Sequence, residues 1–158
     1  MNDTQAAKYA RRFTRVLDHI ESNLGETLST EQLSQVAHFS RFHFHRQFAE
    51  YVGTSVGRYI QLLRLRQASY RLAFSRQDKI IDIALDAGFE NPESFTRAFR
   101  NTFGQSPSAF RRQPDWESWH ERYRFRIPER KQTVQVEIVD FKTTRIAVME
   151  HRGPTERV

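Results

Sequence analysis

The chain has 158 residues, no cysteine, and 25 Lys plus Arg against 19 Asp plus Glu, for a formal net charge of +6. This length suits one ordinary domain with an appendage, and the missing cysteines exclude a disulfide framework and any Cys-based zinc site. No apolar run approaches the ~18 residues of a membrane helix, and the N-terminus lacks the apolar stretch of a signal peptide, so a soluble, cytoplasmic protein is expected.

The first element is an amphipathic helix over residues 9–23, with Phe13, Val16, Leu17 and Ile20 at helical spacing and Gly25 as a stop. Ser29-Thr30-Glu31-Gln32 has the form of a capping box and starts a short helix that turns Leu33, Val36 and Ala37 inward. After a turn at His38-Phe39, Ser40 caps a helix that stops at Gly53. Thr54 or Ser55 caps the longest helix, which runs to about Phe74, carries Tyr59, Ile60, Leu63 and Leu72, and serves as a strut. Its arginines, Arg58, Arg64, Arg66 and Arg71, together with Arg76, are expected on its wet side, with one phosphate contact among them. A second short helix buries Ile80, Ile83, Ala84 and Ala87. Asn91-Pro92-Glu93 then supplies a capping side chain, a proline at the first helical position and an acid favoured by the helix dipole. That helix ends near Gly104, and Ser106-Pro107-Ser108 opens a short closing one.

From Pro114 the pattern changes. Residues 114–132 are charged and aromatic, and read as a linker or a helix packed on the domain. Beyond them, Val134, Val136 and Ile138 alternate with polar residues, and an apolar run follows at 146–149, the pattern of two strands. The fold class expected is therefore mainly α with a short C-terminal β segment.

A helix-turn-helix pattern occurs twice. Ala37, Phe39, Phe44, Arg46, Phe48, Gly53, Ser55 and Tyr59 are echoed by Ala87, Phe89, Phe95, Arg97, Phe99, Gly104, Ser106 and Phe110, and from the glycine onward the copies lie 51 positions apart. In the first, Phe44, Phe48 and Val52 form an inward stripe and leave Phe42, His45, Arg46 and Ala49 outward. In the second, Phe95, Phe99 and Phe103 point inward and leave Glu93, Thr96, Arg97 and Arg100 outward. Arg46 and Arg97 are equivalent, and a guanidinium fork donates twice to guanine O6 and N7 in the major groove. His45 suits a base edge or a phosphate. Phe42 has no donor, so a thymine methyl or a sugar is its only use on DNA. Thr96 suits a methyl or a phosphate, and Glu93 a cytosine amino group or the helix dipole. Ser40, Arg41, Asn91 and Arg100 are candidates for backbone anchoring. The charge agrees, since residues 1–113 hold 16 basic and 11 acidic groups, and a basic surface releases counterions from a polyanion.

Residues 9–113 resemble the DNA-binding domain of AraC/XylS-family transcription regulators. The motifs that carry the resemblance run from Leu28-Ser29 to Tyr59 and from Ile80-Ile81-Asp82-Ile83-Ala84 to Phe110, including Gly88-Phe89, Ser94-Phe95-Thr96-Arg97-Ala98-Phe99 and Gly104-Gln105-Ser106-Pro107. The resemblance implies a seven-helix unit in which a long central helix holds two helix-turn-helix subdomains on one side of double-stranded DNA. Their reading helices enter major-groove segments about 34 Å apart. It also implies base-facing roles for Phe42, His45, Arg46, Pro92, Glu93, Thr96 and Arg97. Phe42 and Pro92 depart from the polar residues common there. RNA polymerase is a further partner the resemblance implies. Residues 133–154, especially Arg145 to Pro154, resemble the opening of a GyrI-like effector-binding domain. An incomplete domain of this kind is expected to bind no small-molecule effector.

Two reading helices in one chain predict monomeric binding to an operator, the alternative being a nonspecific or architectural DNA-binding protein. An enzyme is not expected. His43 and His45 diverge by roughly 200° on a helix and cannot share a metal, and there is no phosphate loop, nucleophile elbow or His-Glu-x-x-His motif. No cofactor or metal is expected.

Overall fold

The computed structural model describes residues 3–122. They form eight helices in chain order: α1 (Asp3–Ser22), α2 (Thr30–Val36), α3 (Arg41–Val52), α4 (Val56–Phe74), α5 (Ile80–Asp86), α6 (Pro92–Phe103), α7 (Pro107–Arg112) and α8 (Trp116–Arg122). Most boundaries follow from local chemistry. At α2 the capping box closes both ways, the Gln32 N–H donating to Ser29 Oγ (3.2 Å) and the Ser29 N–H to Gln32 Oε1 (3.0 Å). Ser40, Ser55, Asn91 and Ser106 each accept a first-turn N–H of the helix that follows, a cap worth about 1 kcal/mol each. Helices α3 and α6 both end on a left-handed glycine, Gly53 (φ 82°) and Gly104 (φ 76°). Helix α1 begins six residues before the expected Tyr9.

The two copies build two cores. The first gathers Phe13, Val16, Leu17 and Ile20 of α1, Leu33 of α2, Phe44, Phe48 and Val52 of α3, and Val56, Tyr59, Ile60 and Leu63 of α4. The second gathers Leu65, Ala68 and Leu72 of α4, Ile83 and Ala84 of α5, Phe95, Phe99 and Phe103 of α6, Phe110 of α7 and Trp119 of α8. The repeat extends to ring geometry: Phe44 and Phe48 lie 5.6 Å apart, tilted 52°, and Phe95 and Phe99 lie 5.6 Å apart, tilted 54°. Each such ring, fully buried, contributes about 1.5–3 kcal/mol. Helix α4 belongs to both cores, the change of ownership falling between Leu63 and Leu65.

The seven expected helices are α1–α7. Of the two readings given for residues 114–132, a linker or a helix packed on the domain, Trp116–Arg122 takes the second and folds as α8. Its Trp119 is buried against Phe103 and donates its indole N–H to the buried Ser69 Oγ of α4 (2.8 Å), so a long-range apolar site orders the segment. Asp115 starts that helix, its carboxylate accepting from the Ser118 N–H (3.1 Å) and Oγ (2.6 Å). These bonds, the side-chain one first, hold Asp115 below the usual carboxylate pKa. The expectation that the arginines lie on the wet side is corrected at Arg71 and Arg64, while Arg58 and Arg76 are exposed. Arg71 is engaged by Asp86 (2.6 Å) and Asp78 (2.8 Å), which raise its pKa further, and these pairs fasten α5 to the end of α4. Arg64 is engaged as well, as described below. The strands expected at 134–138 and 146–149, and the rest of the GyrI-like segment, lie outside the described residues.

Candidate nucleic-acid interface

Helix α3 turns Phe44, Phe48 and Val52 into the first core and leaves Phe42, His45, Arg46 and Ala49 exposed, as the spacing requires. Phe42, in the first turn, is 83% exposed. His45 and Arg46 form no hydrogen bond or ion pair among the described residues, so their donors are available. Arg41 reaches Glu31 of α2 at 3.6 Å, with both side chains mostly exposed, a pair weak enough to yield to a phosphate. Ser40 is already used as the cap, its oxygen accepting from the His43 N–H (3.4 Å).

Helix α6 repeats the arrangement. Phe95, Phe99 and Phe103 face the second core, while Glu93, Arg97 and Arg100 are exposed and Pro92 and Thr96 half-buried. Pro92, Glu93, Thr96, Arg97 and Arg100 line one shallow concavity of about 570 Å³ on the outer face of α6, together with Asn101. All four base-facing candidates of the second copy are thus brought together. Arg97, like Arg46, makes no hydrogen bond or ion pair among the described residues. Asn91 caps the helix, accepting the Ser94 N–H at 2.8 Å.

Between the copies lies a cleft of about 770 Å³, walled by Gly57, Arg58, Gln61 and Arg64 of α4 and by Gly88, Asn91, Ser94 and Arg97 of the second copy. Gln61 is an addition to the residues inferred from sequence, and Arg58 is one of the five arginines among which a phosphate contact was expected. The Arg58 guanidinium donates to Gln61 Oε1 (2.6 Å) and to Thr102 Oγ1 (3.3 Å), which aims both side chains along the cleft. The signal available in sequence was the three-residue spacing of Arg58, Gln61 and Arg64, which sets them on one helical face. The cleft carries three arginines against the single carboxylate of Glu90, an electrostatic setting for a polyanion. No group of His, Asp and Glu among the described residues is placed to hold a metal ion, and no helix among them is long and apolar enough to cross a membrane.

Residues 33–113, which enclose both copies and α4, match a family described as a helix-turn-helix domain. The chain is 34% identical over 96 residues to the multiple antibiotic resistance protein MarA of Salmonella typhimurium, a match covering 61% of this chain and 75% of that protein. The chain belongs to the AraC/XylS family of helix-turn-helix transcription regulators. It is 43% identical over 103 residues to the HTH-type regulator YbfP of Bacillus subtilis and 34% identical over 110 residues to the right origin-binding protein of Escherichia coli. These matches cover 65% and 70% of this chain but only 35% and 38% of those relatives, so the chain spans little more than a third of their length. Among solved structures it is similar to an AraC-type regulator from Chromobacterium violaceum, with a TM-score of 0.59 and 31% identity over 72% of this chain and 99% of that one. It is also similar to the DNA-binding domain of AdpA in complex with a target DNA, with a TM-score of 0.58 and 28% identity over 65% of this chain and 96% of that one. AraC/XylS regulators bind DNA and are not an enzyme class.

Proposed function

We propose that this AraC/XylS protein is a sequence-specific transcription regulator that binds double-stranded DNA as a monomer and reads two successive major-groove segments with α3 and α6. The observation that carries this reading is the duplicated arginine. Arg46 and Arg97 each stand sixth on a helix that opens on a side-chain cap, buries a matching pair of phenylalanines and stops at a left-handed glycine, and both are exposed with donors unused. Helix α4, with 19 residues, is about 28 Å long, close to the ~34 Å that separates successive major-groove segments on one side of DNA. In this reading Arg46 and Arg97 take guanine, Phe42 takes a thymine methyl, and His45, Glu93 and Thr96 refine the choice. Pro92 shapes the first turn of α6. Arg41 and Arg100 neutralise phosphates beside the readers, and Arg58 and Gln61 line the path of the backbone between the two grooves.

The experiment is selection of bound DNA from a random pool at near-physiological salt, repeated with Arg46→Ala and Arg97→Ala. The expected result is two short enriched blocks about one helical turn apart. Each substitution should relax one block only, at about 1–3 kcal/mol per lost bidentate contact. Tight, salt-sensitive binding with no enriched sequence would replace this reading with nonspecific or architectural binding.

A further inference from the structure

Arg64 lies where α4 passes from one core to the other, between Leu63 of the first and Leu65 of the second. Its side chain leaves the helix toward the first half. Nε donates to the Leu24 carbonyl (3.0 Å) and Nη2 to the Glu26 carbonyl (2.8 Å), both in the segment that follows the end of α1. These carbonyls lie beyond the last turn of α1, and a charged guanidinium donates a stronger hydrogen bond to each than a neutral N–H would. The remaining nitrogen, Nη1, lies against the second half. A Cβ placed on Gly88 would sit 2.5 Å from Nη1 and 3.1 Å from Cζ. Gly88 lies in the turn between α5 and α6 at φ 77°, four residues before Pro92 opens the helix that carries Arg97. One planar group therefore touches the end of α1 and the turn that launches the second reading helix.

We propose that Arg64 is a positioning residue that fixes the orientation of α6 relative to α3, and through it the spacing between the two DNA blocks the protein accepts. Helix α4 by itself sets the distance between the halves. A contact off its axis is needed to limit twisting or bending of one core against the other. The Arg58 bond to Thr102 of α6 is a second, single-point tie on the cleft side, whereas Arg64 engages two carbonyls and a backbone turn at once. The angle matters because one base pair shifts a groove by about 34° and 3.4 Å. A loosened joint lets α6 follow a displaced block that a firm joint rejects.

This proposal rests on the two-reader reading, and the test separates the two. Glu50 of α3 and Asn101 of α6 are exposed, and the chain has no cysteine, so a Glu50→Cys/Asn101→Cys pair carries spin labels at those two places alone. The distance distribution between them, measured without DNA in the full chain, should be narrow with Arg64 and visibly broader with Arg64→Ala. Arg64→Lys, which keeps the charge but not the fork, should fall between. On DNA, the selected two-block site is then compared with versions one base pair longer or shorter, and with each block alone. The parent protein should lose about tenfold or more in affinity per base pair of misspacing, and Arg64→Ala about threefold or less, with single-block binding within about twofold of the parent.

An unchanged distance distribution, or an unchanged spacing preference in Arg64→Ala, overturns the proposal. So does loss of single-block affinity as large as the loss on the full site, because that result marks a merely folding role. If the parent protein gains nothing from a second block, the two-reader reading fails, and the label distances alone decide whether Arg64 joins the halves.

Discussion

Phe42 separates a DNA-facing residue from a folding residue more cleanly than any other side chain of the interface. It is 83% exposed, so truncation to alanine removes almost no buried contact, and the stability change should stay within about 0.5 kcal/mol. On DNA the ring would be covered. Phenylalanine buries at least about 150 Å² when fully enclosed. Covering half of that against a thymine methyl and its neighbours, at about 25 cal/mol per Å², gives roughly 2 kcal/mol. Phe42→Ala should therefore weaken binding to the selected site about 30-fold while leaving the urea midpoint unchanged. The assay is a double cycle in which the thymine facing α3 is replaced by uracil, which deletes only the methyl group. If ring and methyl touch, the second loss is much smaller once the first has been taken. Strictly additive losses, or an affinity that ignores Phe42→Ala, would refute the assignment; a fall of several kcal/mol in stability would show that the ring is structural after all.

Other perturbations have equally definite outcomes. Ser69→Ala removes the buried acceptor of the Trp119 indole and should lower stability by about 1–2 kcal/mol. Because both tryptophans of the chain lie in α8, their emission reports the docking of that helix and should shift toward that of solvent-exposed indole. The lowered pKa of Asp115 means that its contribution is complete above the ordinary carboxylate pKa of about 3.9 and is lost as pH falls through the lower folded value. Tryptophan emission of the parent and of Asp115→Asn should accordingly differ near neutral pH and converge in acid; a constant difference would disprove the link. His38 and Gly88 occupy equivalent left-handed turns, at φ 54° and 77°. His38→Gly should raise stability slightly, by about 0.5 kcal/mol after the added freedom of the unfolded chain is counted. Gly88→Ala should lower it by more than 1 kcal/mol, since strain and the Arg64 clash add. Urea titration of both variants checks the opposite signs.

What could be read in the sequence was what local chemistry determines. Ser29 and Gln32, Ser40, Asn91-Pro92, Gly53 and Gly104 each act within four residues of themselves, and the starts and stops they announce are where the helices begin and end. The phenylalanine stripes were legible for a similar reason, because a spacing of four already implies a shared face. The positions expected to face outward on α3 are exposed, and those of α6 share one concavity. Partnerships formed across long separations left no comparable trace. Trp119 finds Ser69 fifty positions away, Arg64 finds Leu24 and Glu26 about forty away, and Arg58 finds Thr102 44 away. Read locally, Trp119 sits in a charged stretch open to two readings, a linker or a packed helix, and Arg64 on a solvated helix face. Only the packing of α4 between two cores converts the first into an anchor and the second into a brace.

That the two phenylalanine stripes belong to different cores has a consequence for how such a protein changes its target. Side chains on the outer face of α3 can be exchanged without repacking anything beneath α6, and the reverse holds equally. Destabilising changes in one half should therefore combine with those in the other as nearly independent events, apart from residues at the shared joint. If α3 and α6 read DNA as proposed, the chain is two reading heads mounted on a common shaft, and a new address on DNA can be acquired one head at a time, with the other holding the complex in place while the change is made.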